Sequence, residues 1–214
     1  MEPPPRFIPQ PVLPFDGHAL YWGPIVDGAN AEAWFEGFLR EIPWVHDEVI
    51  VFGKTRVTAR RVSWHGDSGC DYAYAGRRKV ALPWTPLLDL VKSRVEERAG
   101  CTFNSCLLNL YHSGVEGMGW HRDNEPELGP EPVIASMSLG ARRRFLFRHR
   151  RTKQTVEIHL EPGSLLVMSG ACQQNWMHSL PKSLRVKEPR INLTFRRVHA
   201  ERNHPTQGRG SFSG

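Results

Sequence analysis

The stretch GVEGMGWHRDNEPELG, residues 114–129, contains a histidine and an aspartate two positions apart, His121 and Asp123. Imidazole and carboxylate groups are both ligands for divalent transition metals. Side chains at positions i and i+2 of a strand point to the same face, so this spacing lets both approach one ion. The spacing alone is not selective, because the chain has ten histidines and similar pairs recur. The other pairs are His65–Asp67, His46–Glu48, His159–Glu161 and His199–Glu201.

A third histidine completes a possible metal site with the first pair. Non-haem iron sites of the two-histidine, one-carboxylate type use three protein ligands and leave the remaining positions open. His178, in NWMHSLP, lies downstream, just before a strand-like run that contains arginines. His65 and Asp67 instead precede the second predicted helix, outside the β-rich half. We therefore favour His121 and Asp123 with His178, and surface or structural histidines are the alternative.

The run RINLTFRRV, residues 190–198, has two different faces when it forms a strand. Ile191, Leu193 and Phe195 share one face, and Arg190, Asn192, Thr194 and Arg196 share the other. Guanidinium groups pair bidentately with carboxylates, so two of them on one face indicate binding of a small dianion. The alternative is the exposed polar face of an edge strand.

A second polar pair, Asn109 and Tyr111, lies on one face of another predicted strand, in NLYHSG. Ordinary strand polarity explains such a pair equally well. The functional interpretation is that both side chains face the same interior as Arg190, Asn192 and Arg196.

Two helices and a series of short strands must position these residues. In DGANAEAWFEGFLREIPW, apolar residues recur with helical spacing. They are Ala31, Trp34, Phe35, Phe38, Leu39 and Ile42. In TPLLDLVKSRVEERAG, Thr85 suits a cap, Pro86 the first turn and Gly100 the end of a helix.

The chain after Gly100 consists of short strand-like runs between turn residues. These are FNSCLLNLY, VIASMSLG, RFLFRH, TVEIHL, GSLLVM and RINLTFRRV. Many short strands without intervening helices predict a β-sandwich or barrel. The sequence thus predicts an α-rich front half packed on an all-β back half.

The whole chain, 214 residues with a formal charge of +6, suits one basic domain. A basic balance favours binding of polyanions, nucleic acid first, although a merely basic protein is as good an explanation.

No apolar run approaches the roughly 18 residues of a membrane span. Cys70, Cys101, Cys106 and Cys172 form no C-x-x-C pair, so we expect free thiols and a soluble intracellular protein. Residues 1–14 and 199–214 are predicted to be a flexible proline-rich arm and a flexible tail.

Several runs in order resemble the AlkB-type Fe(II)/2-oxoglutarate-dependent dioxygenases, most closely the homologues that repair duplex DNA. The runs are VFGK (51–54), NLY (109–111), HRDNE (121–125), SLGARRRFLFRH (138–149), GSLLVM (163–168), HSLP (178–181) and PRINLTFRR (189–197). The resemblance implies an α+β fold with a double-stranded β-helix (jelly-roll) core at about 101–198. It also implies N-terminal helices and a nucleotide-recognition lid of hairpins at about 45–82, within one catalytic domain, 15–198.

The resemblance assigns roles to the candidate residues. It implies that His121, Asp123 and His178 hold Fe(II). It also implies that Arg190 pairs with the distal carboxylate of 2-oxoglutarate, and that Arg196 lies near its other end and the substrate. Asn109, Tyr111 and Asn192 are implied to help seat this co-substrate. With O2, the implied reaction hydroxylates the alkyl group of bases such as 1-methyladenine and 3-methylcytosine in DNA. Formaldehyde, succinate and CO2 are released. The same chemistry on RNA, a protein hydroxylase on the same scaffold, and a non-catalytic binder of damaged DNA are the alternatives.

The resemblance also implies how DNA is held, in duplex form with a flipped alkylated base. Val51 and Phe52 match an apolar finger that fills the gap, whereas burial of Phe52 in a hairpin is the alternative. Trp64 and Tyr74 match aromatic walls for the base, with Tyr72 as the alternative to Tyr74. Glu125 matches an acidic position near the substrate. Arg142 and Arg143, in the cluster at 141–153, are candidates for phosphate contacts, and the further candidates are Lys54, Arg56, Arg60, Arg61, Arg77, Arg78 and Lys79. We expect a monomer that does not bind membranes, placed in the cytoplasm if bacterial and in the nucleus if eukaryotic. One departure from the resemblance is the loop after FRHRRTKQ, which is shorter than the insertion associated with the nuclear duplex-repair members, so the resemblance does not extend to how the undamaged strand is held.

Overall fold

The computed structural model describes residues 8–51, 54–70, 72–74 and 77–199, with the backbone alone at 48–51, 54–56, 72–74 and 77–79. Its strands are, in chain order, β1 Gln10–Pro11, β2 His18–Pro24, β3 Val45–Val51, β4 Lys54–Gly66, β5 Tyr72–Tyr74, β6 Arg77–Lys79, β7 Ser105–Tyr111, β8 Met118–His121, β9 Ile134–Gly140, β10 Arg143–His149, β11 Thr155–Leu160, β12 Ser164–Ser169, β13 Trp176–Leu180 and β14 Arg190–Arg196. Its helices are α1 Gly28–Glu41, α2 Pro86–Ala99 and the single turn α3 Cys172–Asn175, and a 3-10 turn covers Pro126–Leu128.

Two facing sheets form the core of the protein. The larger sheet has the order β1-β2-β12-β9-β14-β7-β4-β3, and the smaller one has the order β11-β10-β13-β8. Side chains of both sheets line one cavity between them, among them Asn192 from β14 and His178 from β13. Two antiparallel sheets around a common interior match the predicted jelly-roll core.

Strand β14 lies in the middle of the larger sheet, hydrogen-bonded antiparallel to β7 on one side and β9 on the other. Ile191, Leu193 and Phe195 are fully buried in the core beneath the helices. The opposite face of the strand lines the cavity. The alternation predicted for this strand is therefore confirmed, and the edge-strand alternative is wrong.

Helices α1 and α2 cover the outer face of the larger sheet, as the apolar spacing predicts. Trp34, Phe35 and Phe38 of α1 are buried in the same core cluster as Leu88 of α2. Both predicted ends of α2 are confirmed, because the Thr85 side chain accepts a hydrogen bond from the Leu88 amide and Gly100 ends the helix in the left-handed conformation. These local signals need no long-range contact, which explains why the sequence reveals them.

The division into an α-rich front and an all-β back is wrong, because β1 to β4 all belong to the larger sheet. Residues 8–14 are likewise not a free arm. Gln10 and Pro11 pair with β2, the Val12 amide donates to the Ala19 carbonyl at 2.8 Å, and Leu13 is buried. Pro11 is compatible with this position because β1 is the edge strand of the sheet, where an absent backbone N–H need not remove a hydrogen bond between strands.

The predicted hairpins at 45–82 exist as β3–β4 and β5–β6. Strand β4 continues the larger sheet through its pairing with β7, whereas β5 and β6 form a separate two-stranded sheet. The role of these hairpins as a lid stays a prediction. Strands β8 and β13 of the smaller sheet are additions that the sequence patterns did not indicate. In the described part of the chain no helix is both long and apolar enough to cross a membrane.

Gly140, at the end of β9, provides a test of how tightly the helix layer packs. Its φ is +75°, and an added Cβ would lie 2.6 Å from the Pro189 carbonyl oxygen and 2.7 Å from Phe35 Cε2. We expect Gly140→Ala to lower the free energy of unfolding by about 2–4 kcal/mol, from left-handed strain plus overpacking. Gly100→Ala is the control: its φ is +70°, but its Cβ would meet nothing within 4 Å. Strain alone predicts a loss of about 1 kcal/mol there. Equal losses in urea denaturation would contradict tight packing at Gly140.

Candidate metal and co-substrate site

Two histidines and an aspartate meet in the lining of the cavity. His121 ends β8 and is paired with His178 of β13, so their rings lie side by side with centroids 4.2 Å apart. Asp123 Oδ2 is 3.9 Å from His178 Nε2, and one ligand atom of each residue lies within 4.8 Å of the others. The predicted triad is therefore assembled. Of the pair His121 and Asp123, only His121 is in a strand, so Asp123 reaches the cluster from the loop after β8 rather than from the same strand face.

Hydrogen bonds fix the orientation of the donors. His121 Nδ1 lies 2.8 Å from the Gly119 carbonyl oxygen, which only accepts, so Nδ1 is the donor of this hydrogen bond and Nε2 is the ring nitrogen left to face a metal. The Asp123 carboxylate accepts from Arg196 Nη2 at 3.0 Å, and the Asp123 amide donates to Gln173 Oε1 at 3.0 Å. The cluster is thus held in place by groups that are not themselves donors to a metal.

The protonation states also suit a metal. Burial acts to raise the pKa of Asp123, but Arg196, His178 and His121 outweigh it and hold the pKa below its ordinary value. Burial, followed by His121, lowers the pKa of His178 to about 3, and Asp123 opposes this change. At neutral pH the site offers an ionised carboxylate and a neutral imidazole. Two imidazoles and one carboxylate are the donor set of non-haem iron(II) sites, so these residues fit Fe(II).

The rival pair, His65 and Asp67, is structural. His65 Nδ1 is 2.7 Å from the Pro83 carbonyl oxygen, and its Nε2 is 3.0 Å from Ser63 Oγ. Asp67 accepts from the indole N–H of Trp84 at 2.7 Å. Both ring nitrogens of this histidine are therefore occupied. Among the residues that the structure describes, His121, Asp123 and His178 are the one group of three or more such donors.

The polar face of β14 forms the wall of the cavity opposite the histidines, and its side chains are linked by hydrogen bonds. Arg190 Nη2 donates to Ser138 Oγ at 2.8 Å and to Asn192 Oδ1 at 2.6 Å. Asn192 Nδ2 donates to Thr194 Oγ1 at 2.8 Å. Asn109 and Tyr111 of β7 line the same cavity, as predicted.

Arg190 is a buried cation whose hydrogen-bond partners among the described residues, Ser138 and Asn192, are neutral. Only 2% of its surface is exposed, and within the described ranges it makes no ion pair. Burial lowers its pKa to about 10, which leaves the guanidinium charged at neutral pH. Its Nε has no hydrogen-bond partner among the described residues, and the guanidinium lies 5.6 Å from the Tyr111 ring centre. A buried, incompletely partnered cation suits a carboxylate ligand that enters the cavity.

The expectation that Arg143 contacts phosphate is wrong. Arg143 is buried, and its Nη2 donates to the carbonyl oxygens of Glu116 at 2.8 Å and Pro181 at 3.0 Å. Strand β10 alternates, so Arg143 points to the same interior as Phe145 and Phe147. Its role is to join two loops beside the cavity. Arg60, also considered for phosphate, is buried as well.

The other proposed DNA-contact residues differ in burial and in hydrogen-bond partners. Trp64 is buried, its indole N–H donates to the Cys70 carbonyl at 2.9 Å, and it belongs to the core cluster that contains Tyr111. Glu125 is half-buried, and its Oε2 has no hydrogen-bond partner among the described residues. Arg142 is exposed and paired with Glu161. Phe52 and the side chains of Val51, Tyr72 and Tyr74 lie outside the described residues.

Gln173 is a site residue that sequence reasoning missed. Its side chain is 2% exposed and accepts from the Asp123 amide, and its Nε2 lies 3.5 Å from Met168 Sδ. A glutamine in a four-residue helical turn carries no local signal of this role. The contact arises because α3 follows β12 and leads into β13, which carries His178.

Loss of the Gln173 amide is expected to weaken metal binding. Gln173→Leu leaves the buried Asp123 N–H without a partner, which costs about 1–3 kcal/mol. Because such supporting groups orient ligands, we expect Mn²⁺ affinity, measured by electron paramagnetic resonance, to fall about 10-fold or more. Gln174→Leu is the matched control, because Gln174 is adjacent to Gln173 in the sequence but its side chain is exposed. Equal Mn²⁺ affinity in the two variants would contradict an orienting role.

The buried neutral His178 predicts how stability depends on pH without metal. An unfolded histidine has a pKa near 6.5, and the folded value is about 3. Between these values the unfolded chain binds a proton that the folded protein does not. Stability therefore decreases as pH falls below about 6.5, and the depressed pKa of Asp123 adds to the loss at lower pH.

We expect His178→Asn to reduce the loss of unfolding free energy between pH 7 and 4.5 by roughly 2–3 kcal/mol. Chemical denaturation of the chelator-treated protein at several pH values measures this slope. His159→Asn, on an exposed histidine, serves as the control and should keep the wild-type slope. An unchanged slope in His178→Asn would show that this imidazole is not held neutral.

Comparisons with known proteins agree with this geometry. Residues 20–196 match the family model of the 2OG-Fe(II) oxygenase superfamily. The chain is 44% identical over 159 residues to mouse DNA oxidative demethylase ALKBH2, covering 71% of this chain and 66% of that protein. It is 38% identical over 181 residues to the human protein of the same name, covering 79% and 69%. It is 38% identical over 192 residues to human alpha-ketoglutarate-dependent dioxygenase alkB homolog 3, covering 85% and 66%.

The solved structures support the fold. A structure of OsALKBH1 superposes with a TM-score of 0.57 at 14% identity, over 87% of this chain and 100% of that one. A 2OG-Fe(II) oxygenase from Burkholderia pseudomallei gives 0.55 at 13% identity, over 85% and 87%. The chain spans about two thirds of the length of the curated relatives it matches. Sequence, fold and donor geometry together show that it belongs to the 2-oxoglutarate- and Fe(II)-dependent oxygenase superfamily, within its AlkB-type branch.

Proposed function

We propose that the protein is an oxidative demethylase that removes alkyl groups from base nitrogens in DNA. The relatives named DNA oxidative demethylase support this activity and this substrate. The single observation that carries the proposal is structural. The triad of His121, Asp123 and His178 and the buried guanidinium of Arg190 line one cavity. A metal and a dicarboxylate therefore have facing binding sites.

In this proposal His121, Asp123 and His178 hold Fe(II). When bound, Fe(II) with 2-oxoglutarate and O2 supplies the oxidising chemistry that hydroxylates the alkyl carbon. The role of the protein is to place the three donors and to keep Asp123 ionised and His178 neutral. Arg196 does this for Asp123 because its Nη2 donates to Oδ1 of the carboxylate.

The wall of the cavity is proposed to seat 2-oxoglutarate. Arg190 pairs with the distal carboxylate, because a bidentate guanidinium pair in a buried site is strong and directional. Asn192 holds Arg190 in place through its Oδ1. Arg196, which already contacts Asp123, lies next to the metal end of the co-substrate. Asn109 and Tyr111 complete the wall from β7.

The product chemistry follows from the hydroxylated carbon. A hydroxymethyl group on a base nitrogen is a hemiaminal, and it breaks its carbon–nitrogen bond to give formaldehyde and the restored base. Succinate and CO2 come from the co-substrate. Lesions of the 1-methyladenine and 3-methylcytosine type suit this route, because their methyl group sits on nitrogen.

A base in a duplex must leave the stack to reach the cavity, at a cost of a few kcal/mol that is smaller for a damaged pair. We propose that Val51, at the end of β3, and Phe52, which follows it in the sequence, fill the space that the base leaves. Trp64 and Tyr74 are the proposed aromatic walls, and Glu125 is the proposed acidic contact to the substrate. Arg142 is proposed to hold phosphate, which makes binding salt-dependent. Duplex preference, a monomeric state and the cellular compartment stay predictions.

Mass spectrometry of a duplex oligonucleotide with one 1-methyladenine tests the function. We expect Fe(II), ascorbate and 2-oxoglutarate to produce the loss of one methylene mass, together with succinate. Asp123→Ala, which removes one donor and leaves Arg196 without this carboxylate, should abolish both products. Omission of 2-oxoglutarate should do the same.

The substrate class is tested by the same assay with matched strands. Faster turnover of the RNA strand than of DNA would reject DNA as the preferred substrate. Binding of methylated DNA without any succinate from the folded, iron-loaded protein would reject catalysis.

A further inference from the structure

A buried chain of polar contacts joins the β3–β4 hairpin to the cavity. Arg60 of β4 donates from Nη2 to Asp47 Oδ2 of β3 at 2.7 Å, and from Nε to Asn109 Oδ1 of β7 at 3.2 Å. Asp47 is 1% exposed, Arg60 8% and Asn109 4%. Of the three, only Asn109 lines the cavity. One guanidinium therefore contacts the hairpin and the cavity wall at once.

The backbone explains why Asp47 points inward. The pairing of β3 with β4 shifts between His46 and Glu48, so Asp47 is left out of the regular register. Such irregularities redirect a side chain. The ion pair that results is shielded from water, so its charge-assisted hydrogen bond is strong and removal of either partner is costly. The position of Arg60 is consequently fixed by the hairpin.

The contact with Arg60 also fixes the Asn109 amide. A guanidinium only donates, so the atom that it contacts must be the carbonyl oxygen Oδ1, and the NH₂ group lies on the other side. Within the described residues this NH₂ group has no hydrogen-bond partner. Asn109 thus offers the cavity a donor rather than an acceptor, which suits an oxygen-rich ligand such as a 2-oxo dicarboxylate.

We propose that Arg60 is a positioning residue that sets the affinity for 2-oxoglutarate through Asn109. The hairpin fixes Arg60 through Asp47, and Arg60 turns the Asn109 amide so that it donates into the cavity. The seating of β3 against β4 thereby controls co-substrate binding from outside the cavity. The inference rests on the proposed function only for the identity of the co-substrate.

The test measures 2-oxoglutarate binding by isothermal titration calorimetry to the Mn²⁺-loaded protein, with no oxygen turnover and no DNA. Arg60→Met is expected to weaken binding about tenfold, the effect of one lost hydrogen bond to a charged group. Arg61→Met is the matched control. It removes the same charge from the adjacent, exposed side chain and should keep the wild-type Kd. Unchanged 2-oxoglutarate affinity in a folded Arg60→Met protein would overturn the proposal.

Asp47→Asn tests the hairpin end of the chain with a nearly isosteric change. It should also weaken 2-oxoglutarate binding, although Asp47 does not line the cavity. Arg60→Lys, which keeps the charge but cannot reach two partners with a planar fork, provides a second variant if Arg60→Met does not fold. Wild-type affinity for 2-oxoglutarate in Asp47→Asn and in Arg60→Lys would overturn the proposal.

A double-mutant cycle separates positioning from general damage. If Arg60 acts through Asn109, then Arg60→Met should have little further effect on the 2-oxoglutarate Kd in the Asn109→Ala background. Mn²⁺ affinity should stay within about twofold of wild type in both single variants, because the metal donors make no contact with Arg60. Additive losses, or parallel loss of Mn²⁺ affinity, would overturn the proposal. A failed demethylation assay with these binding results intact would reject the DNA substrate alone.

Discussion

Burial of two guanidinium groups on one face of a central strand is the constraint on which the site depends. Strand β14 has hydrogen-bonded neighbours on both sides, so its side chains enter either the helix-covered core or the cavity. A buried cation is costly unless an anion or a full set of acceptors surrounds it. Arg196 has the Asp123 carboxylate, and Arg190 has hydroxyl and amide oxygens. The smaller sheet is needed opposite β14 because it places the metal donors within reach.

The same charges prepare the site for its ligands. The ion pair with Arg196 keeps Asp123 ionised, and burial keeps His178 neutral, so neither donor must lose a proton before a metal binds. Arg190 retains a positive charge that its neutral partners do not cancel. One cation and one dianion therefore complement the cavity together. Either ligand alone would leave part of this charge pattern unmatched.

The sequence predicted what depends on local spacing and missed what depends on long-range pairing. The two faces of β14 and the ends of α2 follow from strand alternation and capping, and both predictions are confirmed. The centre position of β14 depends on β7 and β9, so the sequence left an edge strand open. Arg143 was misassigned because its arginine-rich run has no feature that distinguishes inward from outward side chains. Gln173 was missed because its contact with Asp123 joins residues 50 positions apart.

The order β14-β7-β4-β3 connects the co-substrate wall to the hairpin within one sheet. Asn109 is paired with Asn192 of β14 on one side and with Val62 of β4 on the other, so β7 is shared by both regions. Backbone hydrogen bonds tie the positions of these strands to one another. The Asp47–Arg60–Asn109 contacts add a side-chain connection across the same strands. A hairpin built as an extension of the co-substrate sheet cannot shift at its base without altering the amide that faces the cavity. A separate lid on a flexible linker would lack this dependence.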